Sequence, residues 1–510
     1  MYAGPRPSSA PVAIAVLVTV LMLVPVGFSA VVAVQTGWQV LAPLVFRARV
    51  GELLLNTVLL VLFGVPLSVV VGVAGAWLVE RSDLPCRRVW SVALASPLAV
   101  PAFVSSYAWV GVVPTLGGLG GGLFISTLAY SPLVYLPAVA ALRGLDPALE
   151  DAAKSLGLGP WAVFRRVVLP QLRLAIWGGG LVVGLHLLAE YGAFSLIRFN
   201  TFTTAIMVQF QSTFAGPAAN ALGIVLTLLC VVLLGIEGTT RGNLRYARTG
   251  SGAATDATHT RLGCATLPSI LALVSHLAAA VGVPLAVLAQ WLSVGDPWAQ
   301  RWMPQAILTT AVLGLLGAVV TIVLAAPTAW LSVRRPSRVS RVLEGAGVLA
   351  SSLPGIIIAL ALVTVTVRLA PSLYQTVVTI VVAYAIMFLP RALVSLRSGL
   401  AQAPPALEEA AQALGVSPGR SRLRVTLPMM APSAAAAAAL VALGIANELT
   451  ATLLLAPNGT RTLATEFWSA SNSVAYTDAA PYALLLILAS VPVVAILFAQ
   501  TRRTSQKGKP

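Results

Sequence analysis

Apolar runs long enough to cross a bilayer as helices, which takes about 20 residues, recur twelve times along this chain. They lie near 11–34, 53–79, 89–113, 122–142, 172–197, 217–237, 266–291, 306–332, 343–368, 374–396, 430–455 and 479–499. Hydrocarbon offers the backbone no water to bond, so a crossing segment must satisfy its own N–H and C=O groups, and runs of this length do so as α-helices. With 58% hydrophobic and only 9% charged residues, the chain is excluded from the ordinary soluble domains.

The formal net charge of +16 would suggest a nucleic-acid partner if the basic residues were clustered on one surface. They are distributed by loop instead. With the amino terminus inside, only Arg47, Arg49, Arg198, Arg301, Arg368 and Arg461 of the 32 basic residues fall in outer loops. An excess of Lys and Arg on the inner side orients a membrane protein, so the charge implies a topology with both termini cytoplasmic and no nucleic acid. Attraction to anionic lipid headgroups is a minor consequence. Cys86, Cys230 and Cys264 fall in an inner loop, a span and another inner loop, which implies no disulfide framework. The run at 11–34 exceeds a signal-peptide core and reads as an uncleaved first span.

One stretch occurs twice. Glu150-Asp151-Ala152-Ala153, Gly157 and Leu169-Pro170 reappear as Glu408-Glu409-Ala410-Ala411, Gly415 and Leu427-Pro428, each position 258 residues on, as from Asp151 to Glu409. Leu149, Ala152, Ala153 and Leu156 fall at i, i+3, i+4 and i+7, as do Leu407, Ala410, Ala411 and Leu414, a narrow stripe of mostly small side chains on a short helix. Pro147 and Pro405 suit the first helical position, Asp146 is a candidate N-cap, and the carboxylates sit near the positive end of the helix dipole. Gly157 and Gly415 supply the stop. Pro160 and Pro418 open a second short helix, and a long apolar run begins at Pro170 and Pro428. The expected arrangement is helix, bend and helix at a membrane surface. The repeat extends outward at a slightly shorter offset: Gly64, Ala76-Trp77-Leu78, Arg81, Pro101 and Pro137 match Gly317, Ala329-Trp330-Leu331, Arg334, Pro354 and Pro390, each 253 residues on. Six spans per repeat is an even number, so the two halves should have parallel topology.

The pattern Glu-Ala-Ala, Gly and Leu-Pro resembles the signature loop of permease subunits in binding-protein-dependent ABC importers, with Asp151 for Glu and Val167 for Ile in the first copy and Val425 for Ile in the second. The resemblance implies a MetI-like transmembrane domain in each half and a cytoplasmic coupling loop that sits in a groove of an ATPase subunit. Glu150, Asp151, Ala152, Ala153, Gly157, Pro170, Glu408, Glu409, Ala410, Ala411, Gly415 and Pro428 would carry that coupling. The implied partners are an ABC ATPase dimer on the cytoplasmic side, which would use the ATP and Mg, an extracytoplasmic solute-binding protein, and the lipid of a bacterial inner membrane. Further likeness, in Glu448-Leu449-Thr450-Ala451-Thr452, Thr462-Leu463-Ala464-Thr465, Tyr191-Gly192-Ala193 and Thr201-Phe202-Thr203-Thr204-Ala205-Ile206, is to the fused permeases of ferric iron and thiamine importers. It implies ferric iron as cargo, with thiamine or another small solute as the alternative.

No catalytic, cofactor or metal constellation accompanies the motif. His186, His259 and His276 are scattered, and His186 reads as a packed histidine. The one Gly-Lys pair, Gly508-Lys509, is followed by Pro510, so no Walker A loop forms and the energy source is expected on another polypeptide. Glu190 and Glu448, 258 residues apart, lie in apolar surroundings at the far end of the run from Pro170 or Pro428. Twenty helical residues rise roughly 30 Å, which puts each near the outer interface, either at a gate or vestibule or at a helix end reaching headgroup water. An ion-driven secondary transporter would favour inverted repeats and midplane acids, neither of which this pattern offers.

The expected organisation is thus an all-α polytopic membrane protein: first span and outer loop 1–51, first ABC type-1 transmembrane domain 52–237, cytoplasmic linker 238–265, seventh span and outer loop 266–304, second such domain 305–500, and a basic cytoplasmic tail 501–510.

Overall fold

A computed structural model describes residues 9–211, 216–241 and 259–506. The described residues are 84% helical, and among them the only β-pairing is an isolated bridge between Ser82 and Thr260. The helices used below are α1 Ser9–Thr36, α2 Ala48–Arg81, α3 Ala102–Val112, α4 Gly118–Gly144, α5 Pro147–Ser155, α6 Pro160–Ala189, α7 Gly192–Leu196, α8 Gly216–Arg241 and α9 Gly263–Leu292. They continue as α10 Met303–Arg334, α11 Arg338–Ser351, α12 Gly355–Leu369, α13 Val377–Ala401, α14 Pro405–Ala413, α15 Pro418–Ala446, α16 Thr450–Leu455 and α17 Tyr476–Gln506.

Among the described residues nine helices are long and apolar enough to span, or ten if the bent pair Arg87–Ala99 and α3 counts as one. Two of the expected spans are therefore not single rods. The run at 89–113 turns by 89° between Ala99 and Ala102, and the run at 343–368 breaks between α11 and α12. Both breaks fall at the matched prolines. Pro101 and Pro354 take extended φ/ψ of −56°, 142° and −54°, 144° and stand as N-caps of α3 and α12. A residue before proline is pushed out of the α region, and Val100 sits accordingly at φ −99°, ψ 109°.

The chain folds as two compact units that do not follow its linear halves. The first comprises 1–42 and 300–466, the second 43–299 and 467–510. In the first, α1 packs against α10, α11 and α12, with Ala15, Leu331 and Leu343 buried together beside Val12 and Trp330. In the second, α9 packs against α3 and α17. There the Tyr107 hydroxyl donates to the Tyr476 carbonyl at 2.6 Å, the Trp109 indole N–H donates to the Ala279 carbonyl at 3.1 Å, and Ala95, Ala99 and Val494 share a small core. Each unit thus takes a terminal segment from the other end of the chain. In lipid, which is as apolar as the packed side chains, close van der Waals contact and interhelical hydrogen bonds hold such segments together whatever their separation in sequence.

Close helix approach in the second unit depends on Gly72. A Cβ there would lie 2.8 Å from Val134 Cβ and 2.9 Å from both the Ser131 carbonyl oxygen and the Tyr135 nitrogen, where α2 crosses α4. Backbone atoms cannot yield as a side-chain tip can. Gly72→Leu is expected to destabilise this unit by at least the roughly 1–3 kcal/mol of overpacking, read as a lowered thermal midpoint in detergent, whereas Gly120→Ala, with open space at its Cβ, should leave the midpoint within about 1 °C.

Candidate functional site

The repeated stretch folds in both units as the spacing requires. In α5 the Ala148 N–H donates to Asp146 Oδ1 at 3.0 Å and Pro147 takes the first helical position. In α14 Pro405 takes that position, while the N-cap is Pro404, which has no side-chain cap. Gly157 and Gly415 close the helices at φ +80° and +85°. The Gly157 N–H reaches Lys154 O at 2.9 Å and the Leu158 N–H reaches Ala153 O at 3.2 Å; Gly415 to Gln412 O (2.9 Å) and Val416 to Ala411 O (3.1 Å) repeat it. This is the six-to-one and five-to-two pairing of a Schellman cap, which needs a left-handed residue at the glycine.

Each short helix is pinned by an arginine at the end of a long one. Arg81, the last residue of α2, places Nε 2.9 Å from Glu150 Oε1 and donates through Nη2 to the Leu142 carbonyl at 2.8 Å. Arg334, the last of α10, places Nη2 3.1 Å from Glu408 Oε1 and 2.8 Å from the Ala403 carbonyl. The pairs differ in depth. The side chains of Arg81 and Glu150 are 6% and 9% exposed, those of Arg334 and Glu408 12% and 14%. Glu408 has further support, because Thr426 Oγ1 donates to its Oε1 at 2.6 Å and Ser421 Oγ to its carbonyl at 3.2 Å.

The apolar stripe faces out. Ala153 is buried, but Leu149 is 50% and Leu156 83% exposed, and Leu407 and Leu414 are 45% and 86% exposed; Ala152 and Ala410 are exposed as well. Each helix therefore fixes its glutamate inward and presents an uncovered leucine at its tip. Asp151 and Lys154 form an i,i+3 ion pair at 3.2 Å in the first copy, and Glu409 is exposed in the second.

The expected bend into a second surface helix is corrected by the structure: the segments from Pro160 and Pro418 run on into the spans as α6 and α15. A π turn makes this continuous, Phe164–Val168 in one copy and Arg422–Thr426 in the other, with the Leu169 N–H bonded to Phe164 O and the Leu427 N–H to Arg422 O. In α geometry the rings of Pro170 and Pro428 would meet the carbonyl four residues back and remove its donor; the wider turn accommodates both.

Glu190 and Glu448 occupy matching places where α6 and α15 end and a short helix begins. Glu190 Oε1 accepts the Ala193 N–H at 2.8 Å, Oε2 accepts the Tyr130 hydroxyl, and the Glu190 carbonyl accepts Thr203 Oγ1 at 2.6 Å. Glu448 Oε1 accepts the Ala451 N–H at 2.9 Å and its carbonyl accepts Thr452 Oγ1, which also meets the Tyr384 hydroxyl at 2.8 Å. Both carboxylates thus cap the first turn of α7 or α16, where the helix dipole favours negative charge, and both are partly buried. His186 lies one turn before Glu190, with Nδ1 2.8 Å from the Val182 carbonyl and its ring 5.3 Å from that of Tyr130. Among the described residues no three His, Cys, Asp or Glu side chains gather as a metal site.

The linker expected at 238–265 begins inside α8, which runs to Arg241, and its last residues are held. Thr260 bridges Ser82 in parallel, the Thr260 N–H bonds Arg81 O at 2.9 Å, the Asp83 N–H bonds Thr260 O at 3.1 Å, and the Leu262 N–H bonds Asp83 Oδ1 at 2.8 Å. The rest of it, 242–258, and the tail residues 507–510 lie outside the described residues.

A helical membrane protein built from two like sets of spans, each with a capped and pinned surface helix, is by class a polytopic transport subunit. This chain belongs to the family described as binding-protein-dependent transport system inner membrane component, whose model matches residues 64–238 and 317–507. It is the permease of an ABC importer, with two such domains fused in one polypeptide. It is 35% identical to the Fe(3+)-transport system permease protein FbpB 2 of Haemophilus influenzae over 470 residues, 90% of this chain and 92% of that protein. It is 29% identical over 198 residues to the sulfate transport system permease protein CysW of Synechocystis, covering 35% of this chain and 72% of the relative. It is 30% identical over 152 residues to the molybdenum transport system permease protein ModB of Escherichia coli, covering 26% and 64%.

Proposed function

We propose that this permease imports ferric iron across a bacterial inner membrane, with α5 and α14 as the handles by which a separate ATPase dimer works the spans. Both termini and both handles face the cytoplasm in this reading, ATP and Mg are used by the ATPase, and an extracytoplasmic binding protein delivers the cargo. The extent of the likeness to the Haemophilus influenzae permease, 90% of this chain, supports iron over the sulfate and molybdenum of the shorter matches.

The observation that carries the coupling role is the pairing of an inward anchor with an outward apolar tip on each short helix. Arg81 and Arg334 join the handle to the end of a long span, so a force on the handle reaches the span through an ion pair and a carbonyl contact. Leu156 and Leu414, 83% and 86% exposed, offer the kind of apolar anchor that fills a pocket in a partner. Leu156→Asp combined with Leu414→Asp is therefore expected to reduce co-purification of the ATPase more than tenfold and to abolish ATP-driven uptake, while the thermal midpoint of the permease itself stays unchanged. Full ATPase retention in that double variant would reject the coupling role. Uptake of iron but not thiamine by the reconstituted importer tests the cargo separately.

A further inference from the structure

Three spans of the second unit, α2, α6 and α8, enclose a groove of about 260 Å³. Val65 and Val69 of α2 meet Gly180 of α6 at its floor, where a Cβ on the glycine would lie 3.3 Å from Val65 Cγ1. Pro66, Trp177 and Ile236 form its rim, and the last two are 42% and 49% exposed. Of the nine residues that line it, only Trp177 has a polar side-chain atom, the indole nitrogen. Water needs polar partners to stay in a cavity, and an apolar one of about 150 Å³ stays dry. The groove is therefore unsuited to water or to a polar solute, and hydrocarbon is what fits it.

The two ends of the groove differ. Towards Glu190 the helices close on one another, since a Cβ on Gly184 would stand 2.7 Å from Leu233 Cδ2 and 3.5 Å from Val65 Cγ2. At the other end Arg173 precedes Trp177 by one turn on the same face of α6, and its side chain is exposed, as are those of Arg165 and Arg166 further on. α8 ends at Arg241, five residues or roughly 7 Å past Ile236. The groove thus opens towards the basic end of α6, with an indole at its mouth, the side chain that favours headgroup depth. The repeat does not preserve this: 258 residues on, Ala431, Ala435 and Ala438 stand for Arg173, Trp177 and Gly180.

We propose that this groove holds one acyl chain of an anionic phospholipid whose headgroup rests on Arg173, a lipid site belonging to the first half of the chain alone. Lipid tails are as apolar as the groove wall, so fit by itself selects no particular lipid. The arginine supplies the selection, because a phosphate accepts its N–H donors and a net negative headgroup is drawn to the basic end of the span. A lipid lodged there packs against α6, the rod that runs from beside the handle α5 to Glu190. That the leaflet is the cytoplasmic one rests on the reading of function above; the site and its preference for negative charge do not.

The test is native mass spectrometry of the full-length permease released into mild detergent from bilayers of four parts phosphatidylcholine to one part phosphatidylglycerol. One phosphatidylglycerol is expected to stay bound per chain, enriched at least fivefold over its share of the bilayer. Arg173→Gln should remove the enrichment and Arg173→Lys should keep it. Ile236→Trp, whose ring fills the groove from its rim, should lose the lipid, whereas Leu67→Trp, on an exposed face of α2 outside the groove, should change nothing. Retention in proportion to the bilayer would mean adventitious boundary lipid only and overturns the proposal, as does enrichment that survives either Arg173→Gln or Ile236→Trp. Should Ile236→Trp lower the thermal midpoint of the lipid-free chain, tryptophan quenching decides instead. Phosphatidylglycerol with brominated acyl chains is then expected to quench more of the emission of wild type than of Trp177→Phe, and to do so more than brominated phosphatidylcholine; equal quenching by the two lipids overturns the proposal.

Discussion

Replacing Arg81 by Met is expected to disable uptake more severely than the matching change at Arg334. Loss of Arg81 leaves Glu150, 9% exposed, without its counter-charge and leaves the Leu142 carbonyl without that donor. Removing one partner of a buried ion pair costs about 3–5 kcal/mol, because the other charge stays desolvated. That is enough to detach α5, which touches the rest of its unit over a short length. Glu408 retains the Thr426 hydroxyl when Arg334 is lost and is somewhat more exposed, so the loss there should be smaller, on the order of 1–3 kcal/mol. The measurement is ATP-driven uptake alongside ATPase co-purification. Arg81→Met should fall below a tenth of wild type in uptake, Arg334→Met should keep a measurable fraction, and adding Glu150→Gln to Arg81→Met should recover part of the loss by neutralising the stranded carboxylate. Equal defects at the two arginines would refute the claim that depth and the extra hydroxyl set the difference.

The second large effect is expected at the caps. Gly157 and Gly415 sit at φ +80° and +85°, with open space on the side where a Cβ would project, so a substitution there is strained by its backbone alone. Left-handed geometry costs an L-residue roughly 1–2 kcal/mol, and a β-branched residue lies at the unfavourable end. Gly157→Val with Gly415→Val should unwind the last turn of α5 and α14 and misplace Leu156 and Leu414. ATPase affinity is then expected to drop at least tenfold while the spans keep their thermal stability. Gly157→Asn with Gly415→Asn should come close to wild type, since Asn tolerates this region. Titration of the ATPase against detergent-solubilised permease distinguishes the two pairs, and indifference to valine would rule out the cap as the element that aims the tips.

Much of the local architecture is legible in residue order. Asp146, Pro147 and Gly157 specify a start and a stop through side-chain and backbone geometry that acts over a few residues, and the second copy repeats the proline and the glycine. The pinning arginines are visible as matched positions, but their partnership with the glutamates is not. Arg81 and Arg334 are related by 253 residues and Glu150 and Glu408 by 258, so the ion pairs span different sequence separations and only the fold brings them together. Hydropathy averaged along a run hides the breaks at Pro101 and Pro354, although a proline inside an apolar run is itself the signal. Continuity through the π turns runs the other way: proline suggests an interruption, and a five-residue backbone adjustment removes the need for one.

The placing of α1 has a consequence for biogenesis. Its packing partners α10, α11 and α12 begin at Met303, roughly 260 residues after α1 is made. At a synthesis rate of about 5–20 residues per second, the newly inserted first segment waits on the order of 13 to 50 s in the bilayer before anything it packs against exists. Its mean apolarity is what makes that wait tolerable, since lipid can solvate it meanwhile. A polar substitution on its buried edge, as at Ala15, should therefore expose the nascent chain to membrane quality control before it impairs the finished transporter.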